Sequence, residues 1–236
     1  KVSLQINLFQ NSNYALMNTL FTSFARAKRT ARLSTWNGAD FIKTPFDFSY
    51  HKEFTAVETL ICNDPDADEL IWEKPRVICG GFLRSKPIIR YNGDYIFPAY
   101  DWINKENYVL RVSVNCGESF EDVLAAPKPQ NNVFDETMAY EIGKRLCILA
   151  RTNLGFYLES HSDDNGKTWS NPTEYQKAPS ARLYIGRLSS GQLIYVRSIS
   201  DSVRQGMKVY ISEDDGATWP YELILDTRDN LSYPDL

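Results

Sequence analysis

The sequence predicts an all-β fold made of repeated four-stranded antiparallel sheets. Three observations predict it. One acidic turn motif recurs along the chain, its closing aromatics keep a nearly constant spacing, and a glycine turn leading into an apolar strand recurs with the same period.

The motif is clearest at Ser162-Asp163-Asp164-Asn165-Gly166-Lys167-Thr168-Trp169 and Ser212-Glu213-Asp214-Asp215-Gly216-Ala217-Thr218-Trp219, which both read S-x-D-x-G-x-T-W. A third copy, Ser113-Val114-Asn115-Cys116-Gly117-Glu118-Ser119-Phe120, replaces Asp by Asn, Thr by Ser and Trp by Phe, each a near-equivalent in shape. A fourth, ending in Trp72-Glu73-Lys74-Pro75, keeps the aromatic and the following proline. The closing aromatics fall at 72, 120, 169 and 219, in steps of 48, 49 and 50 residues. Glycine turns at Gly93 (GDYIFPAY), Gly143 (GKRLCILA) and Gly191 (GQLIYVRS) follow in steps of 50 and 48.

Each unit therefore reads strand, glycine turn, strand, strand, acidic turn, strand, with short segments that alternate or run apolar. That is the make-up of one β-propeller blade. In the acidic turn a Ser or Asp side chain bonds backbone N–H groups, glycine supplies a positive φ, and the tryptophan buries against the blade. The motif is accordingly structural rather than catalytic.

Residues 1–60 are less regular, and Ser23-Phe24-Ala25-Arg26-Ala27-Lys28-Arg29-Thr30-Ala31-Arg32 reads as an amphipathic helix or as a basic strand–loop segment. No heptad, low-complexity tract or long linker breaks the pattern, so residues 1–236 are read as a single propeller domain. At about 49 residues per unit the 236 residues supply fewer than five blades, so the domain is expected to be incomplete at one or both ends.

Composition narrows the function. Hydrophobic residues at 43% provide for a full core, and aromatics at 13% favour strands while offering flat rings that stack on sugars. A net charge of −4 leaves no basic surplus to neutralise a phosphate backbone, which argues against a nucleic-acid partner. No apolar run reaches the roughly 18 residues that a membrane span needs, and the first residues lack the features of a signal peptide. Cys62, Cys79, Cys116 and Cys147 form no C-x-x-C pair, and His51 and His161 lie far apart, so no zinc site is expected. The thiols are read as small buried hydrophobes.

The S-x-D-x-G-x-T-W motif at this period resembles the Asp-box, or bacterial neuraminidase, repeat of the sialidase superfamily, over about residues 60–236. The resemblance implies a six-bladed propeller. Asp-boxes also occur in propellers without sialidase activity, so function has to be argued from the site. Sialidases resemble one another in having a Glu at the start of one blade's first strand and an Arg about 16 residues on. Another Arg follows in the next blade, and a Tyr after the next Asp-box. Here Glu136 (Phe-Asp-Glu-Thr-Met), Arg151 (Leu-Ala-Arg-Thr-Asn), Arg204 and Tyr233 (Leu-Ser-Tyr-Pro-Asp-Leu) stand in that order.

The chemistry explains the residue types. A sialic acid carries a carboxylate on its anomeric carbon, and guanidinium groups such as Arg151 and Arg204 grip a carboxylate by bidentate bonds that an ammonium cannot copy. That same carboxylate repels an anionic nucleophile, so a neutral phenol suits the attack, and sialidases use a tyrosine. The resemblance makes Tyr233 the nucleophile and Glu136 the base that takes its proton.

For the acid and a third arginine, Arg84-Ser85-Lys86-Pro87 followed by Ala99-Tyr100-Asp101 looks like the family's early R-x-P strand with an Asp at the end of the next strand. Asp101 and Arg84 are the preferred pair. In typical sialidases that pair stands more blades ahead of the Glu, and one of Arg26, Arg29 or Arg32 with Asp40 would sit nearer the expected distance without a clear motif. Repeat position also groups Arg84 with Arg182, each nine residues before its glycine, and both could face the central mouth with Glu136.

The resemblance thus implies an exo-acting, retaining hydrolase of a terminal acidic sugar, with a glycan as partner and neither metal nor organic cofactor. Because sialosides lie outside cells, it also implies a secreted or periplasmic location. The rival readings are an Asp-box hydrolase or lyase of another polysaccharide, and a propeller that binds glycans without turnover.

Overall fold

The computed structural model describes residues 12–16, 20–27, 55–62, 66, 68–69, 71–74, 76–80, 82–83, 85–100, 106–132, 136–231 and 233–234. The chain divides into two compact units. The first, residues 1–83 with 101–103, holds an antiparallel sheet of β1 (Ser12–Leu16), β2 (Leu20–Ala27), β3 (Thr55–Cys62) and β4 (Arg76–Gly80), in that order, and a short β5 (Phe82–Leu83). Ser23–Ala27 belong to β2, which settles that part of the basic segment as strand; residues 28–32 lie outside the described ones.

The second unit, residues 84–100 and 104–236, holds three four-stranded antiparallel sheets. Strands β6 (Ile88–Ile89), β7 (Tyr95–Phe97), β9 (Asn107–Ser113) and β10 (Glu121–Pro127) make the first, with a two-residue β8 (Ala99–Tyr100) falling between β7 and β9 in the chain. Next come β11 (Thr137–Ile142), β12 (Arg145–Ala150), β13 (Phe156–Ser162) and β14 (Thr173–Lys177). The last comprises β15 (Tyr184–Arg187), β16 (Leu193–Arg197), β17 (Gln205–Ser212) and β18 (Tyr221–Asp229). Gly93, Gly143 and Gly191 sit in the first hairpin of each sheet, and Phe120, Trp169 and Trp219 between the third and fourth strands, as the sequence period requires.

The middle sheet shows why its inner strands run apolar instead of alternating. Ala139, Leu146, Ile148 and Ala150 pack on Ile96, Tyr108 and Leu110 of the preceding sheet. Met138, Tyr140, Cys147 and Leu149 face the other way, onto Leu183, Ile185, Leu193 and Tyr195 of the following one. Covered on both faces, β12 buries five residues in succession, whereas β14 and β18, at the outer edge of their sheets, stay largely exposed. A polar staple reinforces the first of these contacts. Buried Arg90 donates to Glu141 Oε1 at 2.6 Å, to Asn165 Oδ1 at 3.1 Å and to the Lys144 carbonyl at 3.0 Å.

The three acidic turns share one hydrogen-bond plan. Ser162 Oγ accepts the Gly166 N–H at 2.8 Å, and Asp164 accepts the Thr168 N–H and hydroxyl at 2.8 and 2.6 Å. Ser212, Gly216, Asp214 and Thr218 repeat these bonds at the same distances. Asn115 substitutes by accepting the Ser119 N–H at 3.0 Å and donating its own amide to Ser119 Oγ at 2.8 Å. The hydrogen bonds from Thr168 and Thr218 hold the Asp164 and Asp214 carboxyls down at about 2.

This turn corrects one expectation. Cys116 stands at φ 56 on an exposed corner, so it is not a buried thiol, unlike Cys147. Among the described residues, no helix is long and apolar enough to cross a membrane, and no three His, Cys, Asp or Glu side chains cluster as a metal site.

Candidate active site

Strand register explains the first pair. Thr137 opposes Ala150 across β11 and β12, so the next residues outward, Glu136 and Arg151, are brought side by side. The Arg151 N–H donates to the Glu136 carbonyl at 2.9 Å, and Arg151 Nη1 donates to Glu136 Oε2 at 2.6 Å. Glu136 is 8% exposed and Arg151 4%. Both charges are thus largely removed from water, where such a pair interacts strongly.

The other carboxylate oxygen faces Tyr233, whose hydroxyl donates to Glu136 Oε1 at 3.4 Å. Two left-handed residues bring it there. After β18 the chain turns at Asn230 (φ 59), whose N–H donates to the Arg204 carbonyl at 2.7 Å, and again at Tyr233 itself (φ 64). A bulky aromatic in that region carries strain on the order of 1–3 kcal/mol, a feature that concentrates at functional sites. Tyr233 remains 42% exposed.

Arg204 donates Nε and Nη2 to the Ser180 carbonyl at 3.1 and 2.7 Å, while Arg151 Nη2 reaches Ser180 Oγ at 3.4 Å. Ser180 thereby bridges the two guanidiniums. Its loop is held by the Ala178 N–H on the Gly155 carbonyl and the Ala181 N–H on the Pro179 carbonyl. The next turn of chain carries Arg182, whose Cζ lies 6.0 Å from the Tyr233 ring centroid. Tyr157 is fully buried nearby. Burial pushes its phenol up to about 12, against the opposing pull of the Arg197, Arg151 and Arg204 guanidiniums.

The structure therefore brings Glu136, Arg151, Arg204 and Tyr233 into one neighbourhood. Asp101 and Arg84 lie outside the described residues, as do Arg29, Arg32, Asp40 and the side chain of Arg26. Sequence reasoning missed Ser180, whose link to Arg204 runs through a backbone carbonyl that no residue type announces. It also gave no role to Tyr157. Arg182 carried a signal in its position nine residues before Gly191, the same as Arg84 before Gly93.

Glu136 meets the Tyr233 hydroxyl and Arg182 its ring, while the Arg151 guanidinium is held on Glu136 and the Arg204 guanidinium on Ser180, a grouping of guanidiniums suited to an anionic ligand. A separate aromatic recess of about 290 Å³, lined by Tyr175, Gln176, Tyr195, Tyr210, Gly216 and Trp219, contains none of these groups.

Residues 56–236 match the family profile of the BNR repeat-like domain. An intramolecular trans-sialidase from Ruminococcus gnavus, solved with oseltamivir carboxylate, is similar in structure at 17% identity and a TM-score of 0.64, over 77% of this chain and 43% of its own. A Hadza microbial sialidase is similar at 17% identity and a TM-score of 0.64, over 95% of this chain and 47% of its own. So is a protein of unknown function from Dyadobacter fermentans, at 19% identity and a TM-score of 0.65, over 95% of this chain and 67% of its own. At these identities the likeness is one of fold, and the chain spans less than half the length of the two sialidases. No curated protein matches it in sequence.

Proposed function

The chain belongs to the BNR repeat-like domain family, and from that premise we propose that it is a glycoside hydrolase of sialidase type, cleaving a terminal acidic sugar with retention at the anomeric carbon. In this reading the four-stranded sheets are blades of a sialidase-like β-propeller domain over residues 1–236, and the acidic turns are its Asp-boxes. The substrate is a glycan ending in sialic acid, met outside the cell or in the periplasm.

The observation that carries the reading is the approach of the Tyr233 hydroxyl to Glu136 Oε1, at 3.4 Å, beside a guanidinium pair joined through Ser180. Arg151 fixes Glu136 by one carboxylate oxygen and leaves the other facing the phenol. Arg151 and Arg204 hold the sugar carboxylate, and Arg204 Nη1, with no acceptor among the described residues, is open to it. As Tyr233 Oη bonds the anomeric carbon, its proton passes to Glu136, the glycosidic C–O bond breaks, and the leaving oxygen takes a proton from a carboxylic acid. We assign that acid to Asp101 and a third hold on the sugar carboxylate to Arg84, both on sequence grounds. Water then attacks the anomeric carbon, giving its proton to the acid's carboxylate, while Tyr233 departs and recovers its proton from Glu136.

The test is hydrolysis of a fluorogenic sialoside by the full-length protein carrying this chain. Wild type is expected to turn over, and Tyr233→Phe and Glu136→Gln to lose on the order of 10²-fold or more. Equal rates in all three would refute the assignment. Hydrolysis of a uronide but not of the sialoside would move the reading to another acidic polysaccharide, and saturable glycan binding without turnover would make the protein a lectin-like module.

A further inference from the structure

Arg182 stands two residues before β15 and is 5% exposed, yet its guanidinium reaches the face of an aromatic residue that stays substantially open to solvent, Tyr233. Among the described residues, the charged groups near that ring take different positions. Glu136 meets the hydroxyl, and its second oxygen is occupied by Arg151. Arg204 acts at a distance, through its carbonyl on the Asn230 N–H. Arg182 alone among these takes the ring face, at 6.0 Å from centroid to Cζ.

A cation over a neutral phenol is held by the ring quadrupole. When the phenol gives up its proton, the ring acquires negative charge, and the attraction becomes one of opposite charges, with the guanidinium side of the contact buried, Arg182 being 5% exposed, and the ring side open to solvent. A contact that strengthens as charge develops stabilises the transition state more than the ground state. The geometry also answers a positioning need. Tyr233 sits on a left-handed backbone and is 42% exposed, and a guanidinium across one face of its ring limits how far the ring can swing from Glu136.

We propose that Arg182 is a positioning residue for Tyr233, holding the ring against Glu136 and favouring its charged form during both attack and departure. The inference rests on the reading of Tyr233 as nucleophile. It assigns Arg182 to the ring and not to the substrate carboxylate, so its removal affects turnover rather than substrate capture.

The test compares sialoside hydrolysis by the full-length wild type, Arg182→Met and Arg182→Lys. The methionine variant is expected to lose about tenfold in kcat with KM changed less than about threefold, and the lysine variant, which keeps a cation over the ring, to recover part of the loss. Should Arg182→Met fail to fold, Arg182→Gln, which keeps polar donors without the charge, carries the same comparison. A raised KM with kcat unchanged would place Arg182 on the substrate and overturn the proposal. An unchanged kcat, or a lysine variant as slow as the methionine one, would also overturn it. Turnover that depends on Tyr233 but not on Arg182 defeats this inference alone, whereas turnover that survives Tyr233→Phe defeats the nucleophile assignment beneath it.

Discussion

The Tyr233 hydroxyl lies 3.4 Å from Glu136 Oε1 although 97 residues separate them, and the opposite oxygen of that carboxylate is held at 2.6 Å by Arg151. Glu136 is thus shared between a structural ion pair and a candidate reacting group, which makes the stability of the pair and the chemistry of the site separately measurable.

The ion pair predicts a stability cycle. Arg151→Met leaves the Glu136 carboxylate buried without its guanidinium and is expected to destabilise the fold by about 3–5 kcal/mol, while Arg151→Met combined with Glu136→Leu recovers most of that loss. Urea denaturation of the three proteins checks it. Equal stability of the single and double variants would show that the carboxylate finds another partner.

Much of this arrangement was legible because the residues that make it also name themselves. The acidic turns are spelled by the side chains that form their hydrogen bonds, Ser162, Asp164 and Thr168 in one copy and Ser212, Asp214 and Thr218 in another. The Glu136–Arg151 pair follows from hairpin register, which a two-residue turn at Gly143 and Lys144 fixes. Less legible was whatever depends on partners distant in sequence. The segment from Ser23 to Ala27 is a strand because it pairs with β3, a pairing its own periodicity does not encode. The path of Tyr233 depends on positive φ at Asn230 and at the tyrosine itself, and no glycine marks that bend. The exposure of Cys116 follows from its corner of the third turn rather than from the usual preference of thiols for the interior.

The acidic turns predict a pH dependence. Asp164 and Asp214 have carboxyls depressed to about 2 in the fold, against about 3.9 in an unfolded chain. Their contribution is therefore fully present above about pH 4 and is lost as pH falls through about 2. Asp164→Asn with Asp214→Asn keeps the amide-type turn already seen at Asn115. The variant is expected to be less stable than wild type at pH 7, with the difference narrowing between pH 5 and pH 2. Denaturant midpoints across that range test it, and a constant difference would contradict it.

Backbone space makes a second contrast. A Cβ at Gly206 (φ +63) would run into Ile199 Cδ1 and meet the Asp226 carbonyl oxygen at 2.9 Å, whereas one at Gly93 (φ +88) would meet nothing within 4 Å. Both alanine variants carry left-handed strain of about 1–2 kcal/mol, but only Gly206→Ala adds a clash with β18. Its thermal midpoint is expected to fall clearly further than that of Gly93→Ala, and equal shifts would show that the strand irregularity at Gly206 in β17 yields without loss.

The most direct test of the central claim is covalent trapping. Full-length protein incubated with a fluorinated sialosyl fluoride, whose departure from the enzyme is slowed, is digested and read by peptide mass spectrometry. The account predicts one added fluorosialosyl group on the peptide containing Tyr233, absent in Tyr233→Phe. Label on a different residue, or sialoside turnover with no label at Tyr233, would contradict it.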